Sequence, residues 1–238
     1  MVGIGPGGPL DRTRRAEMAI AESSVIVGYT PYLKLIGDLT EGKELLGTGM
    51  TQEVERCREA LVRAQDGNVV ALVSSGDPGI YGMAGLAIEL ISAEEINVPI
   101  EIVPGVSAAN AAAAKLGAPL MCDFATLSMS DLLVPWEMIE KRLEAVAAAD
   151  LVVAIYNPKS KKRVEQLEKA AAIFRKYRHA TTPVGVATAI GSSDEHIELS
   201  DLEHFMQLEI GMRSIVVVGN QSSRRIADWF VAPRGYTV

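Results

Sequence analysis

Three glycine-rich turns carry most of the chemistry that this sequence could do. Gly3-Ile4-Gly5-Pro6-Gly7-Gly8 lies close to the start, Ser74-Ser75-Gly76-Asp77-Pro78-Gly79 follows the apolar run 69–73, and Pro104-Gly105-Val106-Ser107 follows the apolar run 100–103. A turn after a buried strand marks the carboxyl edge of a parallel sheet, where open α/β proteins bind ligands. Asp77 is the one charge in the second turn, and the glycines beside it let a ligand approach the backbone. The same residue types are ordinary turn formers, so an Asp-Pro turn without function reads equally well. The first turn satisfies G-x-G-x-x-G at Gly3, Gly5 and Gly8, yet Pro6 removes an amide that could cradle phosphate. Gly28-Tyr29, rather than Asp or Glu, follows the second apolar run, so a nicotinamide or flavin site is disfavoured. The sequence has no Gly-Lys-Ser or Gly-Lys-Thr phosphate loop and no G-x-S-x-G elbow. His179, His196 and His204 lack metal-ligand spacing, and no metal is expected. What remains can hold a large, mostly neutral ligand with little acid–base power. Methyl transfer from a sulfonium donor fits that inventory, because it asks mainly for in-line positioning and exclusion of water.

The elements that must position these turns alternate between strand and helix, which predicts an α/β protein with largely parallel or mixed sheets. Strands are expected at 1–5, 25–27, 69–73, 100–103, 124–129, 151–156, 184–188, 196–199 and 214–218. Helices are expected from Thr13 to about Ala21, over 52–65 with Thr51 as its cap, from about Ile80, and over 108–116, 135–148 and 163–177. Residues 28–32 (Gly-Tyr-Thr-Pro-Tyr) read as a loop with two aromatic residues, in a chain that is only 5% aromatic. The alanines between 108 and 114 suit either close helix packing or simple helix propensity. A change of texture near residue 118 divides the chain into lobes 1–117 and 118–238, with a cleft between them as the expected binding place.

Composition bounds the class: 238 residues, 48% hydrophobic and 22% charged, with no apolar run long enough to span a membrane. Cys57 and Cys122 have no motif spacing, so they read as inert thiols in a cytoplasmic protein. A net charge of −7 argues against a nucleic-acid binder. Basic residues still cluster at Arg12, Arg14 and Arg15, at Lys159, Lys161, Lys162 and Arg163, and at Arg224 and Arg225. Such runs are either solvated faces or the lining of a site for a polycarboxylate.

GIGPGG, SSGDPGIYGMA and PGVSAANAAAAKLGAPL, in that order and spacing, resemble the turns of the tetrapyrrole methylases. GYTPY at 28–32, DFATLSMSDLLVPWEMIEKRL at 123–143 and YNPKSKKR at 156–163 narrow the likeness to the ring-contracting branch of cobalamin biosynthesis. The resemblance implies the two-lobe fold of class III methyltransferases, with S-adenosylmethionine held between α/β lobes. It implies donor contacts at Pro6, Gly76, Asp77, Ile80, Ser107, Ala108, Asn157 and Ala189. The acceptor would be a precorrin or its cobalt complex, methylated at carbon 17 with contraction of the ring. Lys159, Lys161, Arg163 and Tyr29 would meet that tetrapyrrole, and the protein would be a homodimer. A sister enzyme acting on another ring carbon is the nearest alternative, and a Rossmann-type oxidoreductase the alternative of another class. No acid or base is nominated: Asp77, Ser75 and Thr126 are the possibilities, with Asp77 expected in an exposed turn. Arg12 departs from the family pattern, in which an apolar residue precedes Thr13.

Overall fold

The computed structural model describes residues 1–161 and 163–237; Lys162 lies outside the described residues. They form two compact units, Met1–Ala108 and Ala109–Val238. In the first unit the elements run β1 (Val2–Gly3), α1 (Arg14–Glu22), β2 (Val25–Tyr29), α2 (Thr30–Leu35), β3 (Glu44–Thr48), α3 (Glu53–Gln65), β4 (Val70–Ser74) and α4 (Ala84–Ala93). The strands make a parallel sheet in the order β1-β4-β2-β3. β2 and β4 are apolar runs because helices cover both faces. Cys57 and Leu61 of α3 pack with Ala87 and Leu90 of α4 in one cluster, and Ala16 and Ile20 of α1 pack with Leu33 and Ile36 in the other.

Several local expectations fail here for identifiable reasons. Thr13 does cap α1, its Oγ1 accepting from Ala16 N at 3.1 Å. Thr51 does not cap α3: it is left-handed at φ 63, and Gln52 stands at the cap. The buried face of α3 is Arg56, Cys57, Ala60 and Leu61, while Val54 and Val62 are exposed. Residues 28–32 are not a loop, since β2 runs through Tyr29 and α2 starts at Thr30 with Pro31 in its first turn, where a missing N–H costs nothing. The helix expected from Ile80 begins only at Ala84, because the chain turns again first: Tyr81 has φ 53 and Ala84 N donates to Pro78 O at 3.0 Å. Residues 100–103 form no strand beyond a bridge between Val103 and Val2. β3, an edge strand of mostly exposed residues, gave no apolar signal.

The second unit contains α5 (Ala108–Leu116, shared with the first by one residue), β5 (Gly117–Ala118), β6 (Phe124–Ser128), α6 (Trp136–Ala148), β7 (Val152–Tyr156), α7 (Glu165–Tyr177), β8 (Pro183–Thr188), β9 (His196–Asp201), β10 (Ser214–Val218), β11 (Arg224–Ile226) and β12 (Trp229–Val231). Its main sheet is mixed, in the order β6-β7-β10-β8-β9. β6 and β7 are parallel, while β10 runs antiparallel to both β7 and β8. Leu143 of α6 and Leu167 and Phe174 of α7 cover one face, all buried. Ala109, Ala111 and Ala112 are buried as well, and a Cβ on Gly185 of β8 would stand 2.5 Å from Leu116 Cδ1. Small residues on α5 therefore serve close packing. The hairpin β11–β12 joins β5 in a second small sheet that the sequence did not announce.

Arg178 ends α7 with its side chain fully buried. Its Nη1 donates to Gly219 O at 2.5 Å and its Nη2 to Leu151 O at 2.6 Å, and its guanidinium lies 4.5 Å from the centre of the Phe174 ring. Burial pulls its pKa down to about 10, which leaves it a cation at any physiological pH. It ties the start of β7 to the end of β10. Among the described residues no helix is long and apolar enough to cross a membrane, and no group of three or more His, Cys, Asp or Glu is placed to hold a metal ion.

Both cysteines are free thiols. Cys57 is fully buried and Cys122 half-buried. Burial pushes the Cys57 thiol up to about 11, so it stays protonated until the pH nears that value. A colourless-to-coloured thiol reagent at pH 8 is expected to modify at most Cys122 in the native protein. Cys57 should react only after denaturant is added, and labelling of Cys57 at the native rate of an open thiol contradicts the packing of α3.

Candidate functional site

The three glycine-rich turns meet at the carboxyl end of the first sheet. Gly5 N donates to Gly76 O at 3.2 Å and Gly76 N to Gly5 O at 2.7 Å, which locks the first turn to the second. Gly76 holds φ 64, a left-handed conformation that favours glycine. The third turn comes closer still: a Cβ on Gly105 would stand 2.1 Å from Gly76 O and 2.8 Å from Gly3 C. Asp77 is half-buried and spans the second and third turns. Its Oδ1 accepts from Gly79 N at 2.8 Å and its Oδ2 from Gly105 N at 3.0 Å. It is thus no idle carboxylate in an exposed turn. With about four lone-pair sites, it keeps acceptor capacity beyond these two bonds. A Cβ on Gly76 would come into ordinary contact with Ala108 N, Ser107 Cα and Val106 O, at 3.7 to 3.9 Å. Pro6, Gly76, Asp77, Ser107 and Ala108 are therefore gathered in one place, with Ile80 40% exposed just beyond. Backbone groups and small side chains face that place.

Arg12 is spent nearby. Its side chain is buried, Nη2 donates to Asp38 Oδ1 at 2.9 Å, and Nη1 finds no partner among the described residues. The bond to Arg12 holds the pKa of Asp38 below its ordinary value. Tyr29 sits farther along, edge-on to Tyr32 with ring centres 5.1 Å apart. Beneath it lies Arg56, which sequence reasoning missed. Arg56 is 3% exposed. It donates to Thr48 Oγ1 and Gly49 O at 2.6 Å each and to Met83 Sδ at 3.3 Å, with its guanidinium 5.7 Å from the Tyr29 ring centre. The available signal was position: Arg56 shares the face of Cys57, Ala60 and Leu61.

In the second unit β7 and β8 point the same way, since each runs antiparallel to β10. Asn157 and Ala189 therefore leave the same end of that sheet. Both are left-handed, at φ 49 and 52. Asn157 tolerates this region through its short polar side chain, whereas Ala189 carries the full Cβ clash. The Asn157 Nδ2 donates to Ser128 Oγ at 3.0 Å. Arg163 turns back, its Nη2 donating to Asn157 O at 2.7 Å, and so closes the loop that carries Lys159 and Lys161. Of the other basic residues, Arg15 pairs with Glu101 and Arg225 with Asp228, whereas among the described residues Lys159 and Lys161 enter no ion pair. A cavity of about 530 Å³, lined in part by Asp201, His204, Arg224 and Arg225, opens at the opposite end of β8 and includes none of the residues expected to meet the donor or the acceptor.

Residues 1–205 match the family model described as Tetrapyrrole (Corrin/Porphyrin) Methylases. A cobalt-factor III methyltransferase of Priestia megaterium is 46% identical over 99% of this chain, and the chain spans only 44% of that relative's length. A probable cobalt-factor III C(17)-methyltransferase of Salmonella typhimurium is 43% identical, over 100% of this chain and 99% of its own. The crystal structure of the methyltransferase CobJ superposes with a TM-score of 0.91 at 38% identity, covering 98% of each chain.

Two substitutions test this geometry. Ala189→Gly removes the Cβ from a left-handed residue and is expected to stabilise the fold by about 1 kcal/mol in urea unfolding; a loss would mean that residue 189 is not left-handed. Asp77→Asn keeps one acceptor oxygen and sets an amide N–H₂ against the other backbone N–H, at an expected cost of about 2 kcal/mol. A melting temperature unchanged in that variant would remove Asp77 as the tie between the turns.

Proposed function

This chain belongs to the tetrapyrrole (corrin/porphyrin) methylase family, and from that premise we propose that it is an S-adenosylmethionine-dependent methyltransferase of cobalamin biosynthesis. It methylates carbon 17 of precorrin-3B or its cobalt-bearing counterpart, with contraction of the ring. What carries the reading is the full-length likeness to a relative bearing a cobalt-factor III C(17)-methyltransferase name, at 43% identity. The cobalt-bearing form is the better supported acceptor, since a second relative, at 46% identity, also carries a cobalt-factor III name.

The residues at the turns fit such a donor. Gly76, Ser107 and Ala108 bring backbone groups close together, and Asp77 retains lone pairs for an amine or a ribose hydroxyl. Pro6, Ile80, Ser107, Asn157 and Ala189 are assigned to the same donor. When bound, the donor supplies a methyl group on a sulfonium that already carries its leaving group. The chain's own work is then to fix the line of approach and keep water out, which asks for rigid, small residues rather than strong acids or bases. The close packing at Gly105 and the left-handed residues at the strand ends supply that rigidity. Lys159, Lys161, Arg163 and Tyr29 are assigned to the tetrapyrrole, whose peripheral carboxylates account for ammonium groups that enter no ion pair among the described residues of a protein of net charge −7. The reading carries with it a cytoplasmic homodimer that acts on a small molecule and not on nucleic acid.

Calorimetric titration with S-adenosylhomocysteine, run beside NAD, tests the donor. Binding near 1 µM for the first, about −8 kcal/mol, and none for the second is the expected outcome. Binding of NAD alone would overturn the assignment and leave only the fold.

A further inference from the structure

Two loops at one end of the second sheet are stapled side by side. Residues 129–135 lead from β6 to α6, and the described residues of 157–164 lead from β7 to α7. Near the sheet the staple is Asn157 Nδ2 to Ser128 Oγ, at 3.0 Å, with Met129 N donating to Tyr156 O at 3.0 Å. Farther along, Gln166 in the first turn of α7 donates its Nε2 to Asp131 Oδ2 at 2.8 Å. Directly after Asp131 come Leu132 and Leu133, 71% and 91% exposed, and Val164 stands 49% exposed on the other loop. Their neighbours Val134 and Trp136 pack inward against the core, so the loop separates the apolar side chains it buries from those it presents. Lys159 and Lys161, outside any ion pair among the described residues, share the loop of Val164.

Adjacent large apolar side chains held out by hydrogen-bonded loops call for a cover, since each Å² left in water forgoes about 25 cal/mol. The cover must be apolar over its face and anionic at its edge, to suit leucines on one loop and ammonium groups on the loop tied beside it. A tetrapyrrole has that chemistry: a flat apolar ring with carboxylates around the rim.

We propose that Leu132 and Leu133 form an apolar platform against one face of the macrocycle while Lys159 and Lys161 take its rim carboxylates, so that the stapled loops select the acceptor. This rests on the reading of the chain as a tetrapyrrole methyltransferase. It adds residues of the loop after β6, to which no role was attached, and it makes Asn157, Ser128, Gln166 and Asp131 positioning residues for that loop.

The test uses the full chain, with the stable polycarboxylate uroporphyrin III as the tetrapyrrole probe, followed by fluorescence. The double variant Leu132→Ser, Leu133→Ser is expected to weaken probe binding about tenfold or more, while Leu132→Met, Leu133→Met restores it to within about threefold. Affinity for S-adenosylhomocysteine and the mass in solution should not change. Unchanged probe binding in the serine variant overturns the platform, and so does equal loss of both ligands. A change in mass with probe binding intact also overturns it, because the leucines then cover a second copy of the chain. A wild-type protein that binds S-adenosylhomocysteine but no tetrapyrrole overturns the acceptor reading and the platform together, whereas failure of the variants alone overturns only the platform.

Discussion

A side chain at Gly105 would bring its first carbon to 2.1 Å from the carbonyl oxygen of Gly76, and the rest of the first unit is arranged around that impossibility. Three turns from distant parts of the chain must meet backbone to backbone. Polar groups brought so close need partners, since an unpaired buried N–H or C=O costs as much as a lost hydrogen bond. Gly5 and Gly76 satisfy each other, and Asp77 satisfies the amides of Gly79 and Gly105. The parallel sheet below follows from the same demand. Only strands pointing the same way deliver all their exit turns to one edge, and the helices between them cover both faces.

The second unit meets a similar demand by strain. Asn157 and Ala189 occupy left-handed backbone at the ends of β7 and β8, a conformation that persists only where the surroundings over-determine it. For Asn157 the surroundings are Ser128 on one side and Arg163 on the other. For Ala189 they are Arg213 O, which accepts its N–H at 3.0 Å, and Ser192, which donates to its carbonyl through both backbone and side chain. Hydrogen bonds to neighbouring loops thus hold in place what steric preference alone would release.

Much of this was legible in the sequence. The apolar runs 25–27, 69–73, 151–156, 184–188 and 214–218 all became strands, because burial on both faces leaves an unbroken signal. The exit turns were legible through their glycines and through Asp77. What stayed hidden was written in weaker terms. β3 lies at an edge and needs few apolar residues, and the hairpin β11–β12 is mostly exposed. Arg56 carries no signal of its own in the sequence; only its register with Cys57 and Ala60 places it inside. The role of Asp77 between two turns depends on Gly105, 28 residues away, and spacing along the chain does not reveal which turn a carboxylate will reach. The ties of Asn157 to Ser128 and of Gln166 to Asp131 are hidden for the same reason.

Arg178 has a consequence for how such a protein can change. It fastens the end of the second sheet where β7 begins and β10 finishes, with its charge fully enclosed. The loops bearing Leu132, Lys159 and Ala189 leave from the other end. Cohesion and contact with the outside are thereby separated by the length of a strand. Substitutions accumulating among the exposed loop tips draw little on the stability held at the far end. Loop positions at the open end can then be rewritten while the guanidinium holds the scaffold at the other.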